Sequence, residues 1–193
     1  MNNIIENLQI EELKDTRYIK PIKAIFTQNG VRKSWEAVKS FDSVSILLFD
    51  KEKDSFLFVK QFRLPVYLND SSIKFTYELC AGLVDKDKSI EDIVVEEVDE
   101  ECGYKISKDD LIKITSFYTN VGVSGAKQHL YFATINDKQK FHKGGGIHDE
   151  EIELFFLPVR EYEDFIFDES KAKTPGLMFS LLWFMQNRDK LSL

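Results

Sequence analysis

Residues 82–104 read GLVDKDKSIEDIVVEEVDEECGY. Ser89 and Asp92 have the spacing of a helix N-cap and the residue that pairs with it in a variant of the capping box. Gly103 is typical of the position just after the last helical residue. The sequence therefore predicts a helix over residues 90–102, which we call the acidic helix.

The acidic helix carries two carboxylates on the face that should be buried. At about 100° per residue, its apolar residues share one face: Ile90, Ile93, Val94 and Val98. Glu97 and Glu101 project into the middle of this face, and Glu100 lies at its edge. The other acids lie on the opposite side, as solvated residues would: Asp92, Glu96 and Asp99.

Two inward carboxylates one turn apart repel each other and lose hydration, which costs on the order of several kcal/mol unless it is compensated. A lysine or arginine partner is one source of compensation. A divalent cation is the stronger candidate, because carboxylates at positions i and i+4, helped by i+3, converge on one point. Ligation by oxygen alone favours Mg²⁺ or Mn²⁺ over zinc.

The whole chain has 193 residues, 43% hydrophobic and 31% charged, with a net charge of −7. This composition predicts a globular protein with one sizeable core, and the acidic balance argues against a general nucleic-acid partner. Cys80 and Cys102 form neither a CxxC pair nor a zinc motif, which favours a reducing cytoplasm. No apolar run approaches the ~18 residues of a membrane span, so no membrane partner is expected.

Hydrophobic patterning divides the chain in two. Residues 1–42 are predicted to be a small antiparallel β subdomain, with strands at 18–26 and 32–38 around the turn Asn29-Gly30. Residues 43–193 are predicted to be an α/β/α sandwich with a mixed sheet between helices. Its further strands are expected at 43–49, 56–62, 73–79, 111–118, 129–135 and 152–157, and its further helices at 159–165 and 175–187.

The acidic stretch resembles the signature of the Nudix hydrolases, in which a glycine is followed at fixed spacing by a Glu-rich helix and a second glycine. The matching residues are Gly82, Glu97, Val98, Glu100, Glu101, Gly103 and Tyr104. Two positions depart, since Lys88 stands where the family has Glu and Glu96 where it has Arg. An inverted ion pair and a double loss are both open.

The resemblance continues outside the signature. Residues 59–63 and 78–85 are similar to the ADP-ribose and nucleotide-sugar branch, and Cys80 before Ala81-Gly82, with residues 33–35, is similar to its UDP-glucose pyrophosphatases. This implies hydrolysis of a UDP-sugar to UMP and sugar 1-phosphate with Mg²⁺, or Mn²⁺ as a substitute. One alternative is an ADP-ribose pyrophosphatase that gives AMP and ribose 5-phosphate. Another is a catalytically silent module that binds a nucleotide sugar.

The resemblance also implies the metal ligands and the catalytic acids. Glu97 and Glu101 would bind metal, with help from Glu100 and the carbonyl of Ala81. Glu150 follows the glycines of residues 144–146, which are expected to be a flexible hinge. It would be a further ligand and the catalytic base, on a loop able to close as a lid. Glu151 is the near alternative, and an ordinary solvated loop is the simpler interpretation.

The remaining site residues concern substrate binding. Arg63 resembles a phosphate or sugar contact and Glu78 a polar contact at the pocket, with a surface cation and an exposed strand residue as the simpler interpretations. Glu151 is also assigned to substrate binding. Trp35 resembles an aromatic residue that stacks on the base from the other subunit of a homodimer. A core tryptophan inside the N-terminal hairpin is the equal alternative for Trp35.

Overall fold

The structure is a computed structural model and describes residues 5–10, 15–16, 18–147 and 149–191. An antiparallel hairpin comes first, and the other strands form one sheet. The strands are β1 (Ile19–Gln28), β2 (Val31–Ser40), β3 (Ser43–Asp50), β4 (Ser55–Gln61), β5 (Thr76–Glu78), β6 (Cys80–Leu83), β7 (Ile112–Tyr118), β8 (Lys127–Ile135), β9 (Ile152–Pro158) and β10 (Ala172–Lys173).

The helices lie on both sides of that sheet. They are α1 (Leu64–Asn69), α2 (Ile90–Glu97), α3 (Tyr162–Phe167) and α4 (Pro175–Asn187). α2 continues as a π-helical turn over Val98–Cys102, and short 3₁₀ turns occur at Lys108–Asp110, Asp137–Gln139, Val159–Glu161 and Arg188–Lys190. None of the helices in the described ranges has the length and apolar character needed to span a bilayer.

The sheet is mixed, as the sequence predicts. Its main path runs β10-β5-β4-β3-β8-β7, with β6 paired to β3 and β9 paired to β4. β3 is parallel to β8, and β5 is parallel to β10, whereas the other pairs are antiparallel. β3 is central, and its register places Ala81 of β6 opposite Ser45.

Two hydrophobic cores lie on opposite faces of this sheet, which confirms the α/β/α sandwich. Val44, Ile46 and Leu48 of β3 pack in the core on the α2 side. The alternate residues Leu47 and Phe49 pack with α3 and α4. Because side chains alternate along a strand, a strand covered on both faces is apolar at nearly every position.

The predicted N-terminal hairpin is present but buries little of itself. β1 and β2 pair from Ile19 with Ser40 to Gln28 with Val31, around the Asn29-Gly30 turn. Nearly every residue of both strands is exposed or half-buried. The same chain holds the end of β2 through a hydrogen bond from the Val38 N–H to the Val123 carbonyl, at 2.8 Å.

The structure corrects two sequence predictions. The strand expected at 73–79 is shorter, since β5 begins at Thr76, and β6 forms where the chain was expected to leave the sheet. The short helix α1 was not predicted. Its Pro65 lies at the start of the helix, where the missing N–H costs nothing.

Candidate functional site

The acidic helix forms over the predicted residues and turns its acids inward. Ser89 caps it by accepting a hydrogen bond from the Asp92 N–H at 3.2 Å, and Gly103 ends it with φ of 71°. Its last residues form a π-helical turn, a rare conformation that is frequent at functional sites. Glu101 lies in this turn and is only 5% exposed.

Glu101 is a buried carboxylate held by its neighbours on β6. Its Oε2 accepts a hydrogen bond from the Ala81 N–H at 3.0 Å, and the Cys80 thiol bonds to it as well. Burial nevertheless raises the pKa of Glu101 to about 8, against the lowering effect of these two donors. No ion pair to Glu101 is found in the described ranges.

Glu97 lies directly over Gly82 of β6. A Cβ atom at position 82 would stand 2.2 Å from the Glu97 carboxyl carbon. Gly82 is therefore more than a turn residue, because its missing side chain is the space that Glu97 occupies. Burial, together with the charges of Glu100 and Glu150, raises the pKa of Glu97 to about 7, against the lowering effect of Lys86.

A lysine partner for the inward carboxylates, one of the two expected sources of compensation, is present only at long distance. Lys86 Nζ lies 3.9 Å from Glu97 Oε1 but 2.9 Å from Glu96 Oε2, so its closer contact is on the outer side of the helix. Lys86 lowers the pKa of Glu97 without bringing it back to an ordinary value. Lys86 therefore does not fully compensate the negative charge of Glu97 and Glu101.

Glu150 approaches the buried pair from the loop before β9. Its charge raises the pKa of both Glu97 and Glu101, and its own Oε2 accepts a hydrogen bond from the Ile147 N–H at 3.0 Å. Glu151 is exposed. Glu150 is therefore the loop acid whose charge acts on Glu97 and Glu101.

Arg63 and Glu78 bind each other. Arg63 Nε donates to Glu78 Oε1 and a terminal nitrogen donates to Oε2, both at 2.8 Å, while the Thr76 hydroxyl donates to Oε1 at 2.6 Å. Glu101 and Glu150 also act electrostatically on the Arg63 guanidinium. Glu78 thus fixes the plane of an arginine beside the acids, and the arginine keeps further N–H groups for another acceptor.

Trp35 is 57% exposed, which contradicts the alternative of a core tryptophan within this chain. Its indole Nε1 donates to the Gly122 carbonyl at 3.1 Å. Other large apolar side chains of the hairpin are exposed as well, among them Ile25, Phe26 and Val31.

The two departures from the signature form an ion pair with inverted signs. Lys88 Nζ lies 2.6 Å from Glu96 Oε1, and Lys86 binds the other oxygen of Glu96. Hydrogen bonding to these lysines lowers the pKa of Glu96. The structure therefore decides between the two alternatives in favour of the pair, which ties the loop after β6 to the helix.

The acids are not prearranged as a closed metal cage. In the described parts of the chain, no three acidic, histidine or cysteine side chains are already placed to hold an ion. Each acid has a protein contact instead: Lys86 for Glu97, Ala81 for Glu101 and Ile147 for Glu150. The donor set still fits a hard divalent cation, because it is all oxygen and holds two buried carboxyls without a full counter-charge.

Sequence reasoning missed the residues that support these acids. Lys86 is one, and the backbone of residues 144–146 is another, since these glycines were expected to be a flexible hinge. Gly145 and Gly146 instead donate hydrogen bonds to the carbonyls of Glu101 and Glu100, at 2.8 and 3.2 Å. The only signal of this docking in the sequence is the run of three glycines. In the structure, Gly144, Gly145 and Gly146 all have a positive φ.

Comparison with known proteins agrees with this geometry. The family model of the NUDIX domain matches residues 39–175. A uridine diphosphate glucose pyrophosphatase from Bos taurus is 34% identical over 93% of this chain and 94% of its own length, and the protein of that name from Mus musculus is 31% identical over 86% and 88%. A GDP-mannose pyrophosphatase from Cronobacter sakazakii is 33% identical over 68% and 67%.

The inverted pair can be tested by a double-mutant cycle. Lys88→Glu and Glu96→Arg each place like charges together, and the double variant restores opposite charges. Because the pair is partly exposed, we expect a coupling energy of about 0.5–1 kcal/mol in urea unfolding. A value within about 0.3 kcal/mol of zero would show that the two side chains do not interact.

The buried acids predict an unusual pH dependence of stability without metal. Their pKa values are raised on folding, so the stability that they contribute is complete below the unfolded pKa of about 4.3 and is lost as the pH rises through about 7 and 8. In EDTA, the Tm of the wild type should therefore fall between pH ~5 and ~8 and change little from these groups above that. Glu101→Gln cannot ionise, so we expect its Tm to fall less and to exceed that of the wild type at pH ~8.5.

The control for this experiment is Glu161→Gln, a change at a half-exposed acid. Its Tm should follow the wild-type curve at every pH. Parallel curves for Glu101→Gln and the wild type would contradict the burial of a titrating Glu101.

Proposed function

The chain belongs to the Nudix family, and on that premise we propose that it hydrolyses the pyrophosphate bond of a UDP-sugar to give UMP and a sugar 1-phosphate. The observation that carries the proposal is the pair of inward carboxyls, the half-buried Glu97 and the buried Glu101, held against Gly82 and Ala81 by the acidic helix. The printed names of the relatives support a nucleotide sugar as the substrate class.

Mg²⁺ is the proposed metal. Nudix pyrophosphatases in general use a divalent ion, and Glu97 and Glu101 would hold it, with Glu100, Glu150 and the Ala81 carbonyl as further ligands. When bound, such an ion would neutralise the diphosphate and lower the pKa of water in the site. An ion there would also supply the positive charge that Lys86 does not provide.

The catalytic steps fall to the chain's own residues. The Glu150 carboxylate takes a proton from the water that attacks phosphorus, and the bond between the bridging oxygen and that phosphorus breaks. Arg63 binds a phosphate oxygen with N–H groups that Glu78 leaves free. Glu78 is thereby proposed as the residue that orients Arg63, and Glu151 stays the alternative acid.

Residues 1–42 are proposed to form the homodimer and to complete the pocket. A two-stranded hairpin is marginal alone in water, and this one exposes apolar side chains on both strands. Such a surface is typical of a protein interface. Trp35 would then stack on the nucleobase in the site of the other subunit.

Experiment distinguishes this proposal from three alternative functions. ADP-ribose hydrolysis uses the same acids with a different base pocket, and GDP-mannose hydrolysis is favoured by the name of one group of relatives. A silent nucleotide-sugar-binding module is the third. It is disfavoured because it would have no reason to keep acids on the inward face of a helix.

We infer a cytoplasmic location from the cysteines. Cys80 and Cys102 are buried in one core as free thiols. Free thiols in the same core are what a reducing compartment would maintain. The acidic surface gives no reason to add a nucleic-acid or membrane partner.

The substrate is tested with a panel of UDP-glucose, UDP-galactose, ADP-ribose, ADP-glucose and GDP-mannose, each with Mg²⁺ and with EDTA, and with product identification. We expect Mg²⁺-dependent cleavage with the highest kcat/KM for a UDP-sugar. A higher kcat/KM for ADP-ribose or GDP-mannose would reassign the base, and binding without cleavage would identify the silent module.

The metal assignment is tested by Glu101→Gln. This substitution removes a ligand charge with little change of volume, so kcat should fall at least ~10²-fold while the fold is kept. Circular dichroism checks the fold, and Glu161→Gln serves as the matched control on a distant acid. Near-normal turnover of Glu101→Gln would place the metal elsewhere.

Trp35 tests the shared site. Base stacking is worth about 1–3 kcal/mol and lies far from the phosphorus, so Trp35→Ala should raise KM much more than it lowers kcat. Trp35→Phe keeps an aromatic face, so its KM should lie between those of the wild type and Trp35→Ala. Light scattering should give a dimer, and the monomer mass of 22.5 kDa at micromolar concentration would remove the shared-site hypothesis.

A further inference from the structure

The loop between β8 and β9 is bonded to the last turn of the acidic helix. The carbonyls of Glu100, Glu101 and Cys102 belong to this turn, where a helix leaves its acceptors without partners. They accept from the Gly146 N–H at 3.2 Å, the Gly145 N–H at 2.8 Å and Lys140 Nζ at 2.6 Å. The loop therefore caps the same helix that carries the buried acids.

Glycine is required for this contact at two positions. Gly144 and Gly146 have φ of 70° and 83°, which side chains rarely adopt. A Cβ at position 144 would stand 2.3 Å from the Glu101 carbonyl oxygen, and one at 146 would stand 2.6 Å from Glu150 Oε2. One glycine thus lets the loop reach the helix, and the other leaves room for the Glu150 side chain.

His142 joins the loop to the outer side of the helix. Its Nδ1 accepts from the Gly144 N–H at 3.1 Å, so the ring proton lies on Nε2, which donates to Asp99 Oδ1 at 2.9 Å. Beyond the glycines, the Glu150 N–H donates to the Ile147 carbonyl at 3.1 Å. Residues 142–146 are therefore bonded to the acidic helix at several points, and Ile147, which follows them, is bonded to Glu150.

We propose that residues 142–146 act as a clamp that sets the position of Glu150 relative to Glu97 and Glu101. His142 and Gly144 are positioning residues, and neither touches the reacting atoms. The assignment rests on the proposed function, in which Glu150 accepts the proton of the attacking water. It replaces the expected glycine hinge with a fixed attachment at this end of the loop.

The clamp is tested with four variants, Gly144→Ala, His142→Ala, His142→Asn and His142→Gln. Misplacing a catalytic group by about 1 Å can cost ~10²-fold in rate, so Gly144→Ala and His142→Ala should lower kcat at least ~10-fold while KM changes less than ~3-fold. His142→Asn places an acceptor where Nδ1 lies and should recover most of kcat. His142→Gln can place its amide N–H where Nε2 lies but has no acceptor at the Nδ1 position, so it should behave like His142→Ala.

Gly125→Ala is the matched control, because Gly125 has open space around its Cβ position and no positive φ. Its kcat should equal that of the wild type. Should Gly144→Ala fail to fold, the His142 series decides the proposal alone. Wild-type kcat in His142→Ala, or equal kcat in the Asn and Gln variants, would overturn it.

Amide hydrogen exchange gives a readout that does not need activity. We expect slow exchange at Gly145 and Gly146 in the wild type and exchange at least ~10-fold faster in His142→Ala. Exchange at the rate of an unstructured peptide in the wild type would show that the clamp does not exist. A wild type with protected amides and no hydrolysis of any nucleotide sugar would instead overturn the proposed function.

Discussion

Burial of Glu101 and partial burial of Glu97 between the acidic helix and β6 is the constraint to which the rest of the site is adjusted. Both carboxyls lose hydration, and contacts with the chain replace only part of it. Glu101 interacts with the Ala81 N–H and the Cys80 thiol, and Glu97 has a long ion pair with Lys86. The pKa of each carboxyl is raised because this lost hydration is not fully replaced. A divalent cation would compensate for the lost hydration, because it binds the deprotonated carboxylates.

Close backbone approach is the second physical theme of the site. Glu97 lies over Gly82, and Glu150 lies over Gly146, so each acid occupies the volume that a side chain would fill. Gly144 brings the loop within bonding distance of the helix terminus. Gly82 of β6 and Gly144 and Gly146 of the loop therefore leave the space in which the carboxylates of the acidic helix and of the loop are accommodated, although these segments are distant in sequence.

The acidic helix could be predicted because its information is local. Ser89, Gly103 and the apolar period fix its ends and its buried face, and α4 was predicted at its observed bounds, Pro175–Asn187, for the same reason. The α/β/α class followed from alternating strands and helices. The roles of the site residues stay predictions, since the structure shows their positions and surroundings without a substrate.

What the sequence did not reveal depends on contacts between distant segments. The docking of residues 144–146 consists of backbone hydrogen bonds that leave no periodic pattern, and the short α1 is too brief to show one. The bidentate contact of Arg63 with Glu78 joins two residues that were each assigned to the substrate. The hairpin was predicted from its turn, but its exposed faces became visible only with the structure.

The central claim is that the buried acids of the helix hold the metal. Anomalous diffraction from a crystal soaked in Mn²⁺ tests it most directly, because the ion replaces Mg²⁺ and is located without reference to activity. The account predicts an anomalous peak at about the 2.0–2.1 Å ligand distance of Mg²⁺ sites, or slightly beyond, from the carboxylate oxygens of Glu97 and Glu101. A strong peak elsewhere, with neither of these carboxylates in contact, would contradict it.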